Sequence, residues 1–557
     1  MEVSDIAVIK YPNGSMTEQV FSAGTRFPDV AAYEYFGFRR SFLAFEKDVR
    51  RAAASLTALG IKKGDRMMLS LPNVPQAIVI FYALNLIGAV ACMTHPLSSA
   101  DEMDYFISES KPRAFITLYQ FYDKFKAVLE KNQIEATVLT GPGDALPQPL
   151  RFFMGLREKK PKKQTAARLQ PGERQYVYRW EELFELGLGE YEGHGGHAND
   201  VAAVLYSGGT TGKTKGILLT NLNFNALAVL TARSGNCIIP HTKMLTIMPV
   251  FHGFGLGISI HTALFAGVSC ILVPRFSVKS YAKLLKKQKP NYIAGVPTLF
   301  EALLRLENTE KIDLSMLRGV FSGGDMLPPD LRRRVDEFLL KRGSPVGVRE
   351  GYGLTECVTA SCLTPADGHR EGSIGIPYDD IMFKIVTPDT QLEVTLGETG
   401  EICLSGPTVM LGYDNNDEET ELALQVHSDG REWLHTGDLG SMDADGYVYF
   451  RGRQKRMIIT SGYNVYPYEI ERVLGAHEYV KLCAVIGVPD DYRMQKIKAL
   501  VVLRDDAPNS DRAVAELEAY CKKALAPFNR PREFEIRSEL PTTLVGKVSY
   551  AQLEGEG

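Results

Sequence analysis

The sequence predicts an α/β protein: a large N-terminal region of layered α/β subdomains, then a β-rich subdomain, then a small α+β domain at the C-terminal end. Three observations predict it. Short apolar runs alternate with helix-period segments up to about residue 370, the pattern of layered α/β units with much parallel sheet. From there to about residue 450 the apolar runs are short and strand-like, with little helical period between them. The last hundred residues form a compact unit of ordinary domain size. At 557 residues the chain is too long for one core.

In chain order, residues 42–59 read as an amphipathic helix, with Phe45, Val49, Ala53, Leu56 and Leu59 at helical spacing. Lys63-Gly64-Asp65 punctuates it. Residues 66–73 read as a strand and loop, and residues 77–92 as a buried helix and strand. Residues 201–205 are a buried strand. The most apolar window, residues 244–273, contains Pro249, His252, His261 and several glycines, so it predicts a buried strand–turn–helix–strand rather than a membrane span. Asp325-Met326-Leu327-Pro328-Pro329 starts a helix, with proline near its first turn. Residues 381–386, 400–404 and 447–450 read as strands. The chain turns polar at Arg451-Gly452-Arg453-Gln454-Lys455, which places a boundary near Gln454 and divides the chain into residues 1–453 and 454–557. In the second unit, residues 469–474 and 511–526 read as helices, and residues 483–488, 499–503 and 533–536 as strands. No internal repeat is seen.

Residues 141–179 differ, being rich in proline, glycine and basic residues, with Arg157, Lys159, Lys160, Lys162 and Lys163 close together. A solvated surface insertion accounts for this. The sharper alternative notes Leu150, Phe152, Phe153, Met154 and Leu156 just before the basic run. Apolar anchors beside a basic run can hold a protein to an anionic membrane surface through residues 150–163.

Composition excludes several classes. The chain is 45% hydrophobic and 23% charged, which is globular. A net charge of -4 and a pI near 6.3 give no sign of a nucleic-acid binder. The 8 cysteines show no zinc spacing and fit scattered reduced thiols. The first residues have no basic-then-apolar signal. A cytoplasmic enzyme is the expectation.

The chemistry begins at Tyr206-Ser207-Gly208-Gly209-Thr210-Thr211-Gly212-Lys213-Thr214-Lys215-Gly216. Glycines let a backbone approach a ligand closely, and amides, hydroxyls and ammonium groups are what a polyphosphate needs. The spacing is not the Walker pattern. The blander alternative is a flexible, glycine-rich surface loop. Further signatures lie far along the chain: Phe321-Ser322-Gly323-Gly324-Asp325, Gly351-Tyr352-Gly353-Leu354-Thr355-Glu356, His435-Thr436-Gly437-Asp438, Arg453 with Lys455, Ser461-Gly462-Tyr463-Asn464, and Gly546-Lys547-Val548. Each is weak alone, but their shared order and spacing are specific.

Together these motifs resemble the adenylate-forming acyl-CoA synthetase family, over residues 30–550. The Ser-Gly-Gly-Thr-Thr-Gly form of the loop is similar to that of bacterial long-chain fatty acyl-CoA ligases. Thr214 stands where the family usually has proline.

The resemblance implies ATP, Mg2+ and coenzyme A, and two steps: a carboxylate attacks the α-phosphorus of ATP, and a thiol then displaces AMP. Such an attack builds charge on oxygens, so cations and fixed dipoles are needed. Ser207, Gly208, Gly209, Thr210, Thr211, Gly212, Lys213 and Lys215 are implied to hold the phosphates, Thr355 to touch the α-phosphate and Glu356 to carry Mg2+. Tyr352 is implied to stack on adenine, with Glu350, Gly351 and the Gly323-Gly324-Asp325 turn at its edge. Asp438 and Arg453 are implied to bind the ribose. Lys547 is implied to act in adenylation and Gly462 to leave room for pantetheine, after the mobile C-terminal domain turns about Lys455. His252 falls at the family's gate to the acyl pocket. The blander alternatives are a core histidine, a core tyrosine at 352, a turn aspartate at 438 and a surface lysine at 547. The small residues Gly253, Gly255, Gly257 and Gly323 predict an elongated apolar pocket for a medium- or long-chain fatty acid. An aromatic or steroid acid, an enzyme loading a carrier protein, and a nucleotide sensor are the rivals.

Overall fold

The structure, a computed structural model, describes residues 9–155, 176–207, 214–235, 238–307, 309–460, 463–490, 492–543 and 548–556. Among these, two large sheets dominate the first half of the chain. One runs, in spatial order, Gly412–Tyr413, Lys215–Thr220, Val201–Ser207, Val90–Met93, Arg66–Ser70, Ala114–Leu118, Ala136–Thr140 and Tyr176–Arg179. The other has Val348–Tyr352, Gly319–Ser322, Tyr292–Gly295, Lys243–Thr246, Ser269–Leu272 and Ala31–Tyr35 at its centre. Their central strands are parallel and buried on both faces, which is why they read as continuous apolar runs.

The helix Phe42–Ala58 starts on a Ser41 cap and buries Phe45, Val49, Ala53 and Leu56, the predicted stripe. The helix Pro75–Ile87 is buried at all 13 positions, as a helix that is apolar all round must be. Just before it, the Asn73 side chain ties the two sheets together. Its Nδ2 donates to the carbonyls of Thr246 at 3.0 Å and Met248 at 2.9 Å, and its Oδ1 accepts from Val250 N at 2.8 Å.

The window 244–273 folds back as predicted, but its middle, Phe254–Thr262, is a π-helix. Such helices are rare and cluster at functional sites. No helix among the described residues is long and apolar enough to cross a membrane. The predicted surface insertion ends earlier than expected. Tyr176–Arg179 is a strand paired in parallel with Ala136–Thr140, because its period-two Tyr-Val-Tyr pattern fits a sheet edge. Residues 156–175, with the basic run, lie outside the described residues. Of the apolar residues before it, Phe152 and Phe153 are exposed.

The β-rich part orders Met382–Val386, Gly400–Ser405, Glu432–Met442 and Leu424–Val426, with Val448–Arg453 paired to Glu432–Met442. A short 3-10 turn, Gln454–Arg456, follows. Beyond it Met494–Leu503 is flanked by Ile458–Thr460 and Val480–Asp490, with Glu533–Arg537 paired alongside. The helices Pro467–Gly475 and Ser510–Ala524 cover this sheet, and its apolar clusters draw only on residues 458–553.

Candidate active site

Gly319–Ser322 and Val348–Tyr352 are parallel neighbours, and two of the predicted motifs leave their C-terminal ends side by side. Open α/β sheets bind ligands at this edge. Gly324 adopts φ +82°, which a side chain resists. A Cβ on Gly323 would lie 3.1 Å from the Gly351 carbonyl, so the absence of a side chain at 323 lets the turn approach the neighbouring strand closely. Glu350 is tied by Arg332 at 3.1 Å, with 18% of its side chain exposed. Burial pushes its carboxyl up to about 7 against the pull of Arg332.

Asp438 and Arg453 are register partners on antiparallel strands, which puts their side chains together. Asp438 is 1% exposed. Its Oδ2 accepts from the Tyr352 hydroxyl at 2.7 Å and its Oδ1 faces Arg453 Nε at 3.2 Å. Burial, then the Asp438 charge, raises the Tyr352 phenol well above its ordinary range, so it stays a donor. The turn carrying Asp438 is anchored from behind. Glu401 accepts from Gly437 N at 2.9 Å and pairs with His435 Nδ1 at 2.9 Å, and His435 Nε2 meets His427 Nε2 at 2.9 Å.

Thr355 and Glu356 sit in a short 3-10 turn, Thr355–Cys357. The Glu356 carboxylate accepts from the Tyr413 hydroxyl at 3.1 Å. Burial, then Glu356, holds that phenol above its ordinary range. Lys215 lies over the Tyr413 ring, 4.5 Å from its centre, and is ion-paired with Glu419. Ser207 and Lys215 face each other as register partners, so the strands flanking 208–213 form an antiparallel pair. Gly208, Gly209, Thr210, Thr211, Gly212 and Lys213 lie outside the described residues.

A cavity of about 520 Å3, counting the part open to solvent, runs beside these turns. Phe254, Ile258, Phe321, Leu363 and Tyr378 line it, with Gly323, Gly324 and Gly351 at one side. It is largely apolar, as expected, but the glycines expected to open it do other work. A Cβ on Gly253 would lie 1.7 Å from the Val358 carbonyl, one on Gly255 1.9 Å from the Pro249 carbonyl, and one on Gly257 2.8 Å from Leu227. They let the π-helix pack against neighbouring backbone, so space at these positions is filled, not free. Val358 itself has φ +65°, unusual for a β-branched residue and adjacent to the Thr355–Glu356 turn. His252 does not line this cavity: its Nδ1 accepts from Phe254 N at 3.2 Å, at the start of the π-helix.

Models of two families match the chain: "AMP-binding enzyme" over residues 20–414 and "AMP-binding enzyme C-terminal domain" over residues 469–547. A long-chain-fatty-acid–CoA ligase of Bacillus subtilis is 33% identical across 97% of this chain and 94% of its own length. The chain belongs to the adenylate-forming acyl-CoA synthetase family. A long-chain-fatty-acid–CoA ligase of Escherichia coli O157:H7 is 31% identical over 97% of the chain and 94% of its own. Among solved structures, ATP-bound MatB from Rhodopseudomonas palustris superposes with a TM-score of 0.82 at 25% identity, covering 98% of this chain and 99% of that one. The anthranilate CoA ligase AuaEII gives a TM-score of 0.84 at 24% identity, covering 100% and 99%, and speaks for the fold alone.

In this synthetase the residues the motifs predicted fall into three groups. Gly323, Gly324, Asp325, Glu350, Gly351 and Tyr352 meet at one sheet edge, and Tyr352 joins them to Asp438 and Arg453. Glu356 and Lys215 meet at Tyr413, and the Thr355–Cys357 turn touches both strands flanking residues 208–213, which carry Ser207 and Lys215. Lys455 is exposed, in the short turn after Arg453. Gly462 and Lys547 lie outside the described residues, but Val548 and Tyr550 line a second cavity together with Asp325 and Val296. Sequence reasoning missed Tyr413, Glu419, Glu401 and His427. Tyr413 had a signal, since Gly412-Tyr413-Asp414 closes the apolar run Val409-Met410-Leu411 just before a polar, acidic stretch. Glu419 had none, lying in a run of acidic residues.

Proposed function

We propose that the chain is an ATP-, Mg2+- and coenzyme A-dependent ligase that activates a medium- or long-chain fatty acid as its adenylate and passes the acyl group to the CoA thiol. The observation that carries this reading is the apolar cavity opening beside the Gly323–Gly351 contact, one strand end from the Tyr352–Asp438–Arg453 network. The relatives named as long-chain-fatty-acid–CoA ligases over nearly their whole length support it.

In this reading Asp438 accepts hydrogen bonds from the ribose hydroxyls while Arg453 fixes its orientation, and Tyr352 flanks the adenine. The Gly323-Gly324 turn approaches the base closely because neither residue carries a side chain. Thr355 faces the α-phosphate. Residues 208–213 and Lys215 hold the β- and γ-phosphates, which requires Lys215 to leave Glu419 or share it. Glu356 fits Mg2+, because the hydrogen bond its carboxylate accepts comes from a neutral phenol, which leaves its charge for a hard cation. When bound, that cation would offset phosphate charge. Lys547 stabilises the first transition state. The division into residues 1–453 and 454–557, with Lys455 as pivot and Gly462 beside the pantetheine, belongs to the same proposal.

The acid is drawn into the cavity by burial worth about 0.8 kcal/mol per methylene. Among the described residues, no lysine or arginine lines that cavity to take up a second charge, which favours an apolar monoacid over a dicarboxylic acid. The exposed Phe152 and Phe153 favour a peripheral lipid contact through residues 150–163, and sedimentation with anionic vesicles at low salt tests it. The test of the main reading is a screen of straight-chain, aromatic and dicarboxylic acids with ATP, with CoA present or absent. Fatty acids should give AMP and thioester. Thioester from aromatic acids alone, or adenylate that CoA never consumes, would replace the reading with one of its rivals.

A further inference from the structure

Among the described residues, two ion pairs cross between residues 1–453 and 454–557. Arg451 to Glu469, at 3.7 Å, lies beside the pivot. The other is Arg504 to Asp330, at 2.8 Å, with side chains 22% and 21% exposed. Arg504 directly follows the strand Met494–Leu503, and its Nε donates to the Val480 carbonyl at 3.1 Å, which fixes the direction of the guanidinium. Asp330 stands in the first turn of the helix Pro329–Lys341 and is already held by Arg333 at 2.6 Å and Arg334 at 2.7 Å. Both partners are therefore pre-oriented before they meet, which lowers the entropy cost that makes most surface pairs weak.

Gly475 and Pro328 approach each other, but a cavity of about 840 Å3 including its open part remains between the two units. Asp325 and Met326 line it from one side and Val548 and Tyr550 from the other. Among the described residues, this well-directed ion pair ties the small unit to the helix Pro329–Lys341, next to the cavity where Val548 and Tyr550 face Asp325.

We propose that Arg504 is a positioning residue for the first half-reaction: its ion pair with Asp330 seats the C-terminal unit with Val548 and Tyr550 at Asp325, and breaks when that unit turns for thioester formation. This rests on the ligase reading above. A pair beside the pivot survives a rotation, whereas one that joins the small unit to the helix Pro329–Lys341 must open.

The test compares wild type with Arg504→Ala, Arg504→Lys and Asp330→Asn in two single-turnover assays: pyrophosphate release from ATP and dodecanoate, and thioester formation from supplied dodecanoyl-adenylate and CoA. Arg504→Ala should slow pyrophosphate release about fivefold, the upper range for an exposed pair, and leave thioester formation equal or faster. Arg504→Lys should recover most of the loss, and Asp330→Asn should reproduce it from the other side without touching the strand Met494–Leu503. Equal losses in both assays at matched melting temperature, or no loss in either, would overturn the inference. A wild-type chain that releases no pyrophosphate with any acid would overturn the ligase reading and this inference with it.

Discussion

Replacing Asp438 probes the nucleotide site most sharply. The carboxylate is 1% exposed, accepts from Tyr352 at 2.7 Å and faces Arg453 at 3.2 Å. In the ligase reading it also accepts from two ribose hydroxyls. Hydrogen bonds to a charged group are worth about 1.5–3 kcal/mol each, and losing two partly re-solvated ones predicts about 3–4 kcal/mol for Asp438→Ala. That is a fall of about 10²–10³ in kcat/KM for ATP. Arg453, with 42% of its side chain exposed, regains water and adds little. The Tyr352 hydroxyl loses the carboxylate it donates to, which should lower stability by about 1–2 kcal/mol. Asp438→Asn keeps one acceptor for Tyr352 but turns an amide toward Arg453 or the ribose, so it should lose about tenfold to thirtyfold, one charged hydrogen bond. The assay is initial-rate pyrophosphate release across ATP concentrations, beside thermal melting. An alanine variant whose kcat/KM for ATP stays within twofold of wild type would refute the assignment, whatever its stability.

Further outcomes follow from the same geometry. Gly253→Ala sets a Cβ 1.7 Å from the Val358 carbonyl, whereas Gly257→Ala meets only side-chain ends, Leu227 at 2.8 Å and Val358 at 2.9 Å. Overpacking should cost about 3 kcal/mol in the first and about 1 in the second, and the first should also slow adenylation by displacing the turn at Thr355; equal melting of the two variants would contradict this. Tyr413→Phe removes the hydroxyl that orients Glu356 and should raise the Mg2+ needed for half-maximal pyrophosphate release about fivefold, the worth of one hydrogen bond; an unchanged Mg2+ curve would count against Glu356 as the ligand. Glu350 titrates near 7 when folded, so the native state holds a proton that the unfolded chain has released, and stability falls as pH rises from the ordinary carboxylate range through 7. Glu350→Gln should flatten that slope, gaining up to about 3 kcal/mol on wild type between pH 5 and pH 8; parallel stability curves for the two proteins would show the shift is absent.

Much of the fold was legible because buried parallel strands announce themselves as apolar runs. Residues 201–205 and 66–73 were read this way, and the structure has Val201–Ser207 and Arg66–Ser70 there. Edge strands were not legible. Tyr176–Arg179 sits at the end of a proline- and lysine-rich segment whose composition outweighed four residues of alternation. The π-helix Phe254–Thr262 falls where the sequence predicts a turn and a helix, because period cannot separate the helix types over nine residues. At the site, motif order pointed to Tyr352, Asp438 and Arg453, which the structure brings together. It misjudged the glycines at 253, 255 and 257, since a missing side chain signals close packing as readily as open space. Partners such as Tyr413 and Arg504 act through contacts 57 and 174 residues away in the chain, and such pairings leave no local pattern.

The central claim is that an acid's own oxygen attacks the α-phosphorus of ATP. Dodecanoate labelled with 18O in its carboxylate, incubated with ATP, Mg2+, CoA and the enzyme, tests it directly. Attack forms a carboxyl oxygen–phosphorus bond and expels pyrophosphate; the thiol then attacks the carbonyl carbon, and AMP leaves with the bridging oxygen. Mass spectrometry should find one 18O in each AMP and one in each thioester. AMP without label, or ADP and phosphate in place of AMP and pyrophosphate, would contradict the account.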